Sequence, residues 1–267
     1  MEDGHDMEVV VFPAKILSSF KLIGGCTDCS CENCTCDSDW SFKIAPYAWG
    51  AGLKGDVGTL PRLPVVSVDM SFSDILRHMD ATVMLAGEVR KGQVSLAADI
   101  MYVDISRNVT TKGPRIINAS LDVKYWIATI AFGCDIIRND FLILEAFLGG
   151  RIWSITTDLS LGAQFLPDVA LSIKATKKWM DPLVGIRGSI PLGCNFSIKG
   201  WGIVGGFDVS SKIFWDFLGT VGYTWNFCDS SIDLLAGYRW MSVDYKTCDF
   251  LYDVKQFGPI IGLVFSF

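Results

Sequence analysis

No stretch of this chain is long and apolar enough to cross a membrane as a helix, which takes about 20 consecutive apolar residues. The two best runs, "YWIATIAFGC" and "FLILEAFLGGRIW", are short, and the second carries Glu145 and Arg151. Histidine is scarce: His5 and His78 are the only two, which confines histidine chemistry to two positions. Charge is thin as well. Asp, Glu, Lys and Arg make up 19 % of the chain, against roughly 25 % in ordinary globular domains. With a net charge of −6 and no basic patch, nucleic acid is not the expected partner. Yet 50 % of the residues are hydrophobic. A chain this apolar without spanning helices has one other route into lipid. It must satisfy every backbone group between strands, and only a closed β-barrel does so.

What is present is alternation. In the closing run "GPIIGLVFSF", Ile261, Leu263, Phe265 and Phe267 fall on one parity, with Phe257 just before the run, and Gly258, Gly262 and Ser266 fall on the other. In "KIFWDFLGTVGYTWNF", Ile213, Trp215, Phe217, Val221, Tyr223, Trp225 and Phe227 alternate with Lys212, Asp216, Thr220, Gly222, Thr224 and Asn226. Period two marks a strand with one greasy and one polar or small face. Ten such segments are expected, near 41–54, 81–91, 93–105, 117–133, 140–155, 179–192, 195–207, 211–227, 231–244 and 254–267.

The links at "RKGQ", "GCDIIRND", "LGCN" and "FCDSS" are short, while 55–80, 106–116 and 156–178 read as long loops. Short turns on one rim and longer loops on the other, with an even strand number, are the habit of outer-membrane barrels. The expected fold is therefore all-β: a closed antiparallel transmembrane barrel of about ten strands, with both termini on the short-turn, periplasmic rim. A soluble sandwich or lipocalin-like barrel would alternate too, with its apolar parity inward. Here the bulky aromatics share one parity and Gly, Ser, Thr and charges the other, which favours lipid outside. Trp40, Trp179, Trp225, Phe227, Trp240 and Phe267 lie at segment ends, as an interfacial aromatic girdle requires.

The stretches "WSFKIAPYAWGAGLKGDVG", "VDMSFSDILRHMD", "AADIMYVDIS", "LEAFLGGRIW" and "WMDPLVGIRGSI" to the end span nearly all of 40–267. In order and spacing they resemble the small bacterial outer-membrane β-barrel proteins of the OmpW/OmpA-like kind. The resemblance implies residence in the outer membrane, contact with its lipid, and an assembly signal at Phe265 and Phe267 read by the barrel assembly machinery. Nine cysteines depart from that pattern, as does the opening "MEDGHDMEVVVFPAKILSSFKLIGG", which is acidic at its front rather than basic and then apolar.

On this parity the lumen is expected to receive Glu88, Arg90, Asp99, Asp122, Lys124, Glu145, Arg151, Asp181, Arg187, Lys199, Asp216, Asp233 and Arg239, seven acids and six bases. "LEAFLGGRIW" and "IDLLAGYRWM" echo each other, placing Glu145 on Asp233 and Arg151 on Arg239. A barrel of this size has an interior that side chains nearly fill. Charges inside must be paired, so a salt-bridge plug is the leading expectation and a narrow, charge-selective channel the alternative. A soluble ligand-binding calyx would want apolar inward residues instead.

The remaining features lie nearer the N-terminus. "SFSDILRHMD" reads as a short helix capped by Ser73, with His78 on it. An outer-membrane hydrolase would need such a histidine beside a serine or acid partner, and the blander reading is a surface histidine. The apolar pieces of 55–80 suit a fold over the barrel mouth, or a small apolar ligand. Residues 1–39 form a Cys-rich extension ahead of a barrel at 40–267. Cys26, Cys29, Cys31, Cys34 and Cys36 suit disulfides in an oxidising compartment or, failing that, a soft metal. No cofactor is expected, and the function expected is non-enzymatic: a structural or surface role, with binding of small solutes or apolar ligands.

Overall fold

A computed structural model describes residues 40–58, 65–110, 117–163, 166–193, 195–227, 230–247 and 250–267. Twelve strands and one helix follow in order: β1 Trp40–Trp49, β2 Gly52–Gly58, β3 Val66–Met70, α1 Phe72–His78, β4 Met79–Lys91, β5 Val94–Thr110 and β6 Ile117–Arg138. Then come β7 Ile143–Ala163, β8 Leu166–Gly193, β9 Phe196–Gly205, β10 Ile213–Asn226, β11 Ser231–Thr247 and β12 Phe250–Ser266. All ten strands expected from the alternation are there.

The sheet runs β1-β4-β5-β6-β7-β8-β9-β10-β11-β12, and β12 pairs back onto β1, so ten antiparallel strands close a barrel. β2 and β3 are two additional strands. The chain bends at Gly50 and Ala51, and β2 continues beside the other half of β12: Lys43 faces Ser266, while Gly55 faces Val254. Gly55 has φ +152, and a Cβ there would lie 2.1 Å from the Asp253 carbonyl oxygen, so only glycine lets the two backbones approach. β3 hangs on β2 as a hairpin. Helix α1 follows, and its Phe72 ring covers Gly50. Its cap is Ser71, not Ser73. The Ser71 hydroxyl and carbonyl both accept from the Asp74 amide, while Asp74 Oδ2 accepts from Ser71 Oγ at 2.6 Å. This is a capping box, in which the first residue outside the helix and the third inside satisfy one another.

The outward face is a belt of exposed apolar residues: Phe42, Leu85, Leu96, Ile130, Leu148, Val184, Ile198, Phe217, Val221 and Ile261. Trp40, Trp225, Phe227, Trp240 and Phe267 are exposed with it, as a girdle requires. Trp179 is not; it is 7 % exposed and packs inside.

The region 156–178, expected as a loop, is strand over 156–163 and 166–178. β6, β7 and β8 are 22, 21 and 28 residues long, about twice what spans a bilayer. Past Trp126, Ile152 and Met180 their outward side chains turn polar. Lys124 Nζ pairs with Asp104 at 2.8 Å, and the Thr156 and Thr176 hydroxyls meet at 3.0 Å. The pairing of backbone groups continues beyond the apolar belt because hydroxyl and charged side chains suit a wetted strand surface as well as a loop.

Candidate functional site

The inward side chains form three layers across the lumen. The first lies near the short-turn rim. Glu88 of β4 accepts from Lys43 of β1 at 3.1 Å, from Arg90 at 3.2 Å and from Arg187 of β8 at 2.5 Å. Glu145 of β7, 2 % exposed, pairs with Arg90 and with Arg187, and accepts from Ser95 Oγ at 2.7 Å. Asp135 joins from β6, bound to Arg90 at 2.8 Å and Arg138 at 2.5 Å. Since β5, β6 and β7 separate β4 from β8, the Glu88–Arg187 contact reaches over the lumen.

The middle layer centres on Asp216 of β10, which is fully buried. Arg239 of β11 donates to it twice, Nε to Oδ1 at 3.0 Å and Nη2 to Oδ2 at 2.7 Å. Arg151 of β7 donates Nη2 to Oδ2 at 2.9 Å and Nε to Thr129 at 2.9 Å. Trp201 Nε1 adds a third donor residue at 3.3 Å. The two guanidiniums stack on aromatic faces, Arg239 on Trp49 and Trp201, Arg151 on Trp153 and Phe214. Such stacking suits a planar, weakly hydrated cation held away from water. Arg239 Nη1 reaches the Tyr47 hydroxyl at 3.4 Å, and that hydroxyl donates to Asp99 at 2.7 Å.

The third layer is aromatic. Trp179 of β8 stacks on Tyr245 of β11 at 4.1 Å and on Trp153 at 5.7 Å, with Phe250 and Tyr252 of β12 edge-on. Asp181 belongs here rather than in an ion pair. It accepts from the Ser211 amide at 2.7 Å, the Ser211 hydroxyl at 2.6 Å and Trp179 Nε1 at 3.1 Å, which pins the 206–212 link to β8.

Eleven of the thirteen residues expected in the lumen point inward. Glu88, Arg90, Glu145 and Arg187 meet in the first layer, and Asp99, Arg151, Asp216 and Arg239 in the second. Lys199 and Asp233 form their own pair, and Asp181 stands apart with Trp179. Asp122 and Lys124 are the exceptions. They share the parity of the exposed Trp126, Ile130 and Phe132, whereas Ile127, Thr129 and Ala131 are buried. Both therefore face outward, beyond the apolar belt. In "DVKYWIATIAF" both parities are largely apolar, so alternation gave the wrong face.

Sequence reasoning missed Lys43, Tyr47 and Asp135, and the inner aromatics. Lys43 could have been found, since it alternates with the exposed Phe42 and Ile44. Trp153 shares parity with Glu145 and Arg151. Asp135 keeps the inward parity of Thr129 and Ala131, but it lies in "GCDIIRND", expected as a turn, just before the register of β6 on β7 shifts, so no face was assigned to it.

Between the first two layers lies a cavity of about 250 Å³. Its wall includes Ala45, Ala86, Ala97, Ala131, Phe147 and Leu235. Lys43, Glu88, Glu145 and Arg187 bound it toward the short-turn rim, and Tyr47, Asp99, Arg151 and Arg239 toward the middle. The space exists because the wall residues between two layers of long ionic side chains are small. The barrel is thus filled in layers, not throughout.

His78 ends α1, and the cysteine cluster at 26–36 lies outside the described residues, as do Cys194, Cys228 and Cys248. Cys134 is exposed and free. Among the described residues no group of His, Cys, Asp or Glu is placed to hold a metal.

No family model matches this sequence, and no curated protein matches it. Among solved structures, the outer-membrane protease OmpT of Escherichia coli aligns over 86 % of this chain and 97 % of its own, with TM-score 0.50 and 10 % identity. The fold is that of an outer-membrane β-barrel. The translocator domain of the autotransporter NalP from Neisseria meningitidis aligns over 86 % and 89 %, with TM-score 0.48 and 10 % identity. At such identities the likeness is one of architecture.

Proposed function

We propose that this chain is a non-enzymatic integral protein of the bacterial outer membrane, closed to the flow of solutes, with a structural or surface role. The observation that carries this reading is Asp216 held by Arg239 and Arg151. The two arginines are each 1 % exposed, and they come from strands separated by β8, β9 and β10. A lumen crossed by buried, mutually committed ions leaves no continuous water path. The aromatic layer around Trp179 closes the same path a second time. The ionic side chains are also engaged with one another, which suits a scaffold better than an enzyme. The exposed belt supports contact with outer-membrane lipid. Phe265 and Phe267, which continue the outward apolar parity of Ile261 and Leu263, suit delivery by the barrel assembly machinery. Strands β6 to β8, running past the belt, would stand in the extracellular space.

Planar-bilayer recording of the purified full chain tests the reading. The expected trace shows no large, steady open level. A stable, porin-like conductance would make the chain a channel instead.

A further inference from the structure

Strand β8 outruns its neighbour β9. Their pairing stops where Leu183 faces Gly205, and the 206–212 link carries contact only a little further. The Gly206 amide donates to the Pro182 carbonyl at 3.0 Å, and Ser210 Oγ to the Met180 carbonyl at 2.8 Å. Beyond Met180, among the described residues, β8 has β7 as a partner on one side and no strand on the other. Alternate residues of a strand turn their backbone groups to the same side. The N–H and C=O of Ser172, Lys174, Thr176 and Lys178 therefore face this open edge, on the side to which Met180 and Pro182 turn theirs. Neither a proline nor a register shift interrupts the edge between Ser172 and Lys178. The side chains of those four residues point outward and are exposed, while Ile173, Ala175 and Lys177 line the inner side, half-buried. Lys174 has Asp158 at 3.9 Å, Lys177 Nζ lies 5.9 Å from the Tyr245 ring, and neither Lys177 nor Lys178 has an ion pair among the described residues.

We propose that this edge is a docking site for an extended acidic segment of another protein, which joins the sheet as a further strand. An unpaired edge presents a row of donors and acceptors that an extended peptide completes. Lysines along it deter a second copy of β8, which would bring three more lysines to the same seam, and the same charge favours carboxylates. Facing residues of paired strands project to one side of the sheet. Acidic residues opposite Lys174, Thr176 and Lys178 thus turn outward, and the residues between them turn inward beside Ile173 and Ala175. The matching segment alternates acidic and compact apolar residues. At β8 the apolar belt ends with Met180, 58 % exposed, so the edge beyond it stands clear of the bilayer core and a strand can approach. The inference goes beyond the closed-lumen reading and takes from the section above only that β8 projects from the membrane.

The test is fluorescence anisotropy of the full chain in neutral maltoside micelles, with a labelled seven-residue peptide that alternates glutamate and valine. Saturable binding of one equivalent is expected, about tenfold or more tighter than for the peptide with lysine in place of glutamate. In the added strand the glutamate N–H groups point at β8 and the valine N–H groups away from it. N-methylation of the glutamates should therefore abolish binding, and N-methylation of the valines should leave it within about twofold. Lys174→Glu with Lys178→Glu should reverse the preference between the glutamate and lysine peptides. Thr176→Pro takes a donor from the open edge and none from the pairing with β7, so the barrel should fold and binding should be lost. Folding of each variant is checked by the mobility of unboiled against boiled protein. Should a variant not fold, the four peptides on the unchanged chain still decide. No binding, equal binding of the glutamate and lysine peptides, or binding that survives methylation of the glutamates overturns this inference, whereas steady conductance overturns the closed-lumen reading alone.

Discussion

Arg239 holds Asp216 from the adjacent strand through two hydrogen bonds of 3.0 and 2.7 Å, and Arg151 completes the group from the far wall. One carboxylate thus answers two guanidiniums, and its removal leaves both without their main partner. Asp216→Ala is expected to cost about 3–5 kcal/mol, the scale for orphaning a buried ion. Replacing all three residues by apolar ones of similar size (Asp216→Leu, Arg151→Met, Arg239→Met) should recover most of that loss. Urea unfolding of barrels reconstituted in lipid vesicles measures both.

Two glycines on neighbouring strands, Gly219 of β10 opposite Tyr238 and Gly237 of β11 opposite Thr220, should behave oppositely. A Cβ on Gly237 meets the Gly219 carbonyl oxygen at 2.0 Å and Thr220 Cα at 2.7 Å, whereas a Cβ on Gly219 meets nothing within 4 Å. Gly237→Ala is expected to destabilise by about 1–3 kcal/mol through forced backbone shifts. Gly219→Ala should be neutral or stabilising by about 0.5 kcal/mol, because it narrows the unfolded ensemble. The same urea titration compares them.

The apolar belt has an edge, and charge should detect it. Val221 is 52 % exposed on the outward face, midway between Trp215 and Trp225 on β10. Thr156 lies past Ile152, in the polar part of β7. Val221→Arg is expected to cost about 2–4 kcal/mol in lipid vesicles, and Thr156→Arg close to nothing. Equal costs at the two positions would place the belt elsewhere.

Phe267 exchanges backbone hydrogen bonds with Phe42 in both directions, at 2.9 and 3.0 Å, and the residue is 61 % exposed. The barrel therefore needs its backbone more than its ring. Phe267→Ala should refold from urea into micelles with unchanged yield. In cells the assembled amount should fall, if the ring is what the assembly machinery reads. A loss of refolding in micelles would assign the ring a packing role.

How legible the barrel was depended on contrast between the two faces of each strand. β10, the first half of β11 and the second half of β12 set aromatic and aliphatic residues against Asp, Gly, Ser and Thr, and their facing could be read directly. β6 offered no such contrast, and Asp122 and Lys124 were turned the wrong way. Trp179 looked like a girdle residue because it begins a segment. It packs inside because β8 extends well before it, so the true strand end is elsewhere. The pairing of inward ions was not readable at all, since strand alternation gives a face but no height along the barrel. Glu145 and Arg151 share a face and belong to different layers. The small residues that leave the cavity open are unremarkable one by one; they matter only when the closed sheet brings Ala45, Ala86, Ala97 and Ala131 around one space.

The strand that ends the chain has two jobs: β12 pairs with β1 along one half and with β2 along the other. Until those 17 residues arrive, everything before them is an open ribbon with two bare margins, and bare margins recruit neighbouring chains. The seam of β1 on β12, with Lys43 facing Ser266 and Phe42 bonded to Phe267, also joins the most distant strand partners among the described residues, so it comes late and slowly. Loss of the final strand should therefore leave no smaller barrel behind, only a sticky sheet that some chaperone must shield.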